Sequence, residues 1–162
     1  MENFGQYRDP GNGSPATRHS LIWHRLLTWF FLWAGAVTEL SMAIVLLSEQ
    51  YYGNETAQVY AEFETLRIAD TVMGAVMLLL AVYRVYVRFQ LSGFKLGAPD
   101  KLSAVYVAEA AVSIGYTIAA AAIRRQPFSS YSTDLIAMAI VCCVPLLINR
   151  SYYNKRLELF VN

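Results

Sequence analysis

The chain has 162 residues, of which 56% are hydrophobic, 14% aromatic and only 15% charged. Soluble domains carry roughly 25% charged and 45–50% apolar residues, so this chain has too little charge to cover a water-facing globule. The same composition excludes disorder for the bulk of the chain, two cysteines exclude a disulfide scaffold, and a net charge of +1 with no basic stripe excludes nucleic-acid recognition. What remains is an all-α, one-domain integral membrane protein.

In chain order, residues 1–20 carry Pro10, Gly11, Gly13 and Pro15 and read as a disordered tail, with Ser20 as a candidate helix cap. Residues 21–153 form the transmembrane domain and 154–162 a second tail. A span needs about 20 mostly apolar residues to cross a bilayer core. Four segments qualify: Leu26 to Leu47, broken only by Glu39; Leu66 to Arg88, with Arg67, Asp70 and Arg84 inside it; Leu102 to Ile123, broken only by Glu109; and Ser132 to Ser151. Their apolar runs are continuous, as in helices, and do not alternate as in barrel strands. The polar start and the length of the first run do not fit a cleaved signal, so the first span is expected to stay as an anchor. Asp100 is a candidate N-cap for the third helix, and Ser132, Thr133 and Asp134 for the fourth. Glu62 and Glu64 precede the second helix, where its dipole favours them.

Orientation follows from Lys and Arg near the span ends. Most of the 13 lie on the first tail, the second connection and the last tail. Only Arg67, Arg124 and Arg125 fall on the other side, where the first connection is acidic through Glu49, Glu55, Glu62 and Glu64. Both termini are therefore expected in the cytoplasm. Trp23, Trp29, Trp33, Tyr83, Tyr86, Tyr152 and Tyr153 cluster toward that side, as interfacial anchors do.

Lipid is as apolar as leucine, so close packing and hydrogen bonds must hold the helices together. Ala104, Ala108, Ala111, Gly115, Ala119 and Ala122 recur at steps of three and four and make one small-residue face on the third helix. This face is expected at the bundle centre, with a homodimer contact as the other reading. Gly35–Ala36 and Gly74–Ala75 offer smaller patches. Pro145 withholds a backbone bond from the Val141 carbonyl and should bend the fourth helix.

Charges inside a span are costly and often functional. Depths from a rise of about 1.5 Å per residue suggest two polar layers, Glu39, Arg67 and Asp70 on the outer side and Arg84 with Glu109 on the inner. Arg67 is expected to pair with Asp70 along one helix face. Glu39 is the carboxylate best placed to exchange a proton. No phosphate loop, zinc-protease spacing or nucleophile–His–acid set is present, so no catalytic, cofactor or metal residues are expected. His19 and His24 are five apart, which is not one helix face, and the adjacent Cys142 and Cys143 cannot form a redox pair.

The ending Asn149-Arg150-Ser151-Tyr152-Tyr153-Asn154-Lys155-Arg156, running to Leu159-Phe160-Val161-Asn162, and the stretch Trp29 to Ala36 resemble small four-span membrane proteins of Gram-positive bacteria. Those proteins are uncharacterised. The resemblance implies the topology and a bacterial cell membrane, and carries no active residues. Membrane enzymes of the glutathione-transferring type share the length, but their Arg- and Asn-rich pattern on the second helix is missing. The leading expectation is a non-enzymatic scaffold or accessory subunit working through its helix faces, in the bilayer or in a larger complex. The alternative is a small oligomeric proton- or cation-coupled transporter or channel using Glu39, Asp70 and Glu109. A dimer in native detergent extracts would favour the second, and a monomer with every buried charge paired and no cavity at Glu39 the first.

Overall fold

The computed structural model describes residues 21–160. Four long helices dominate: α1 (Ile22–Leu47), α3 (Glu64–Ser92), α4 (Ala98–Ile123) and α5, which runs Ser132–Asn154 behind a 3-10 turn at Phe128–Tyr131. Each is long and apolar enough to cross a membrane. Their outer faces stay apolar, with Leu79, Ile136 and Leu147 each more than half exposed. The protein is therefore an all-α, multi-pass integral membrane protein. A short α2 (Thr56–Glu62) sits on the first connection, and Phe63 leaves the helical region to turn α2 into α3.

Helix packing follows the chain, α1 on α3, α3 on α4 and α4 on α5. All neighbours are antiparallel: Arg84 meets Glu39 and Arg88 meets Thr28 further back along α1, Asp70 meets Tyr116 and Arg84 meets Glu109 further back along α4, and Tyr106 meets Asn149 while Thr117 meets Met138 further back along α5. The end where α1 starts and α5 finishes is called the base here, and the opposite end the crown. At the base, the Trp23 indole donates to the Asn149 side chain and His24 bonds the Tyr153 hydroxyl, joining α1 to α5. Phe160 folds back against Phe94 and Tyr153, so the last tail docks there. Residues 1–20, with the expected tail, Ser20 and His19, and also Val161 and Asn162, lie outside the described residues.

Three local features depart from the sequence reading. Gly97 takes a left-handed φ of 72° and starts α4 with Pro99 in its first turn, so Asp100 lies inside the helix and not at its cap. Residues Leu27–Phe31 form a π-helical segment in α1. The Thr28 carbonyl in this segment accepts from Arg88 Nε at 3.3 Å.

The third departure is the small-residue stripe of α4. Ala104, Ala111, Gly115, Ala119 and Ala122 are exposed, Ala108 is half-buried, and nothing lies within 4 Å of a Cβ built on Gly115. α4 packs through the opposite set, Leu102, Val105, Tyr106, Thr117 and Ala120, because these carry the volume and hydroxyls that fill its contacts with α3 and α5. Close backbone approach occurs instead between α1 and α3. A Cβ on Gly35 would lie 2.7 Å from Arg84 Nη1, and one on Gly74 would lie 2.9 Å from Leu47 Cγ.

Candidate functional site

The buried charges converge on Arg84. Its guanidinium donates to both oxygens of Glu39, Nε to Oε2 at 3.0 Å and Nη2 to Oε1 at 2.8 Å, and Nη2 also donates to Glu109 Oε2 at 2.7 Å. The Arg84 and Glu39 side chains are 5% and 2% exposed, and Glu109 is 25% exposed. Arg84 and Glu109 are thus together, as the depth argument placed them. Glu39 joins them and not the outer layer, which corrects the expectation for that residue.

The reason is register. Leu46 and Leu47, at the crown end of α1, pack on Gly74, ten residues into α3. α3 therefore projects past α1 by roughly 15 Å. Counting depth from Leu66 put the whole of α3 too far toward the base relative to α1. With the ends offset, Glu39 falls about one turn crownward of Arg84, within reach of the long guanidinium stem.

Asp70 and Arg67 then lie beyond the end of α1, in the crown, and they do not pair. Asp70 is fully buried and accepts from the Tyr60 hydroxyl at 2.9 Å and the Tyr116 hydroxyl at 2.6 Å. Arg67 turns to solvent and pairs with Glu49 at 2.6 Å, an exposed contact worth little. The expected Arg67–Asp70 pair fails because the first connection folds back as α2 and presents Tyr60 to Asp70. Tyr52 joins the same cluster with a buried hydroxyl that meets no hydrogen-bond partner among the described residues, beneath Arg124 at 5.0 Å from its ring. Burial, and then the bond to the Asp70 carboxylate, holds the Tyr60 hydroxyl well above the ordinary phenol range.

A cavity of about 400 Å³ opens beside the Glu39–Arg84–Glu109 group. It lies between α1 and α5, which join at the base but do not pack along their length. Pro145 and Val141 line its α5 wall, where the proline supplies no N–H to the Val141 carbonyl. A second cavity of about 360 Å³ lies between the crown halves of α4 and α5, reaching from Asp134 and Ser113 to Glu109. Glu109 and Val141 border both cavities. One carboxylate therefore faces two spaces that extend toward opposite ends of the bundle.

From the sequence, Arg88 marks only the end of the second span. It is buried to 8% exposure, with its guanidinium 4.9 Å from the Trp29 ring, 5.4 Å from Trp33 and 4.7 Å from Phe89. Aromatic faces and one backbone carbonyl stabilise this cation in place of a carboxylate. The one signal for it in the sequence is the pair of tryptophans one turn apart on α1. Among the described residues no group of three or more His, Cys, Asp or Glu could hold a metal. Cys142 is buried and Cys143 exposed on α5, and both are free thiols. Comparison of the chain with protein-family models, with curated proteins and with solved structures finds no match.

Proposed function

We propose that the protein is a small transport protein of the cell membrane, with both termini cytoplasmic, in which the Glu39–Arg84–Glu109 group takes up and releases a proton or a cation. One observation carries this reading. Two carboxylates share one guanidinium deep in the bundle, so the fully ionised group has one negative charge in excess, and Glu109 borders two cavities. A purely structural ion pair needs neither the second carboxylate nor the space. An uncompensated charge at that depth is unfavourable unless a proton or cation neutralises it. The cavity at Glu39 favours transport over the scaffold reading.

The exposed small-residue stripe of α4 supports assembly of two copies, because close approach of small side chains is what drives helix association in lipid. Reconstitution into liposomes loaded with a pH-sensitive dye tests the function. Wild-type protein is expected to carry protons or monovalent cations down an imposed gradient, and Glu109→Gln to abolish the flux while keeping its helical content. Flux equal in the two proteins, or absent from both, would contradict the reading. The stripe favours a second use, docking of a partner helix, and Gly115→Leu is expected to dissociate such a contact in native detergent extracts.

A further inference from the structure

We infer that the substrate of this site is a lipophilic organic monocation, bound in the cavity between α1 and α5 against the excess negative charge and exchanged for a proton. The inference rests on the transport reading above and names its substrate class. The larger cavity, about 400 Å³, falls in the size range of small-molecule sites, roughly 300–1,000 Å³. A hydrated metal ion would not need that volume, nor the apolar and aromatic wall that Trp23, Leu27, Phe31 and Tyr106 provide around Glu39 and Glu109. An apolar anion or neutral molecule would fit the wall but not the charge.

The charges facing the space are Glu39 from α1, Arg84 from α3 and Glu109 from α4, with the Tyr106 phenol beside them. The α5 wall, Val141, Pro145, Ile148 and Asn149, adds no ionisable group there, and Cys142 faces the second cavity with Glu109. Arg88, one turn toward the base, packs its cation among Trp29, Trp33 and Phe89 and does not line the space. Arg84 shares its single positive charge between two carboxylates, so the negative charge left over belongs to Glu39 and Glu109 jointly. Glu109 is the more accessible of the two. With one proton on the carboxyl pair the group is neutral; as one monocation enters that proton leaves, so the net charge in the site stays at zero. The cavity lies at the open α1–α5 seam, which lets an apolar cation arrive from the lipid side.

The probe is tetraphenylphosphonium, titrated by calorimetry into the full chain in a non-ionic detergent, with empty micelles as the blank. Trp23, the one tryptophan lining the space, serves as a second readout by fluorescence. The expected result is saturable binding, with one proton released per cation bound and affinity rising with pH until the carboxyls are ionised. Glu109→Gln should weaken binding by about tenfold or more, the loss of a charge-assisted contact. Ile148→Trp, which keeps all three charges and narrows the cavity, should also weaken it, while circular dichroism and elution volume confirm that both variants fold. Equal binding of the neutral triphenylphosphine oxide would overturn the inference and mark the seam as an apolar groove for lipid or a second copy. No saturable binding of tetraphenylphosphonium would also overturn it. In that case, liposome flux of protons or sodium that is lost in Glu109→Gln would show that only the substrate class is wrong. Absence of that flux would remove the transport reading as well.

Discussion

Arg84→Leu removes the one cation of the buried group and leaves Glu39, 2% exposed, without either of its two hydrogen bonds, at 2.8 and 3.0 Å. Removing one partner of a buried ion pair costs about 3–5 kcal/mol, because the remaining charge is neither solvated nor paired. Glu109 loses a third bond at 2.7 Å, but its partial exposure lets it recover some solvation, so the Glu39 side carries most of the cost. Adding Glu39→Gln to Arg84→Leu removes the orphaned charge. The double variant should therefore lose less stability than the two single variants summed, by about 0.5–3 kcal/mol, the coupling range for contacting residues. Unfolding in mixed micelles by increasing dodecyl sulfate, followed by helical circular dichroism, measures both values. An Arg84→Leu loss below about 1 kcal/mol, or strictly additive single effects, would refute the reasoning, since exposed pairs behave that way.

Tyr116→Phe should destabilise the crown by about 1.5–3 kcal/mol, the worth of a hydrogen bond to a charged group, and speed proteolysis within residues 48–62; an unchanged cleavage rate would mean that Asp70 is not holding α2 down. Gly74→Ala places a methyl 2.9 Å from Leu47 Cγ, and should cost about 1–3 kcal/mol by overpacking, whereas Gly115→Ala, with open space around it, should leave the monomer's stability unchanged in the same denaturation assay. Tyr60 has a folded-state hydroxyl that titrates above its unfolded value, by burial first and then through Asp70. Its contribution to stability is therefore complete below the unfolded phenol value of about 10 and declines as pH rises beyond it toward the folded value; Tyr60→Phe should flatten that decline in a helical signal recorded against pH.

Period and span length in the sequence were enough to locate all four long helices, because a continuous apolar run of about 20 residues has few alternatives in lipid. The Arg84–Glu109 meeting was also legible, since both residues could be counted from the same end of neighbouring helices. Glu39 was misplaced because its depth depended on how far α3 runs past α1, and that offset is set by the first connection folding into α2, which no apolar count records. Tyr60 and Tyr116 went unnoticed for the same reason: aromatic residues near span ends look like interfacial anchors until the fold shows a buried carboxylate between them. The α4 stripe was assigned to the wrong side because small residues say that something approaches closely, not whether it belongs to the same chain.

Accessibility of the two cavities to water tests the central claim most directly. With Cys142 and Cys143 replaced by Ala, Thr38→Cys reports the base-side cavity and Ser113→Cys the crown-side cavity, each in sealed vesicles treated with a membrane-impermeant cationic thiol reagent. The account predicts that each cysteine is modified from one face only, opposite faces for the two, and that tetraphenylphosphonium protects Thr38→Cys. Modification of neither residue, with both reacting only with an apolar maleimide, would mean that the Glu39–Arg84–Glu109 group is sealed in lipid and serves structure alone.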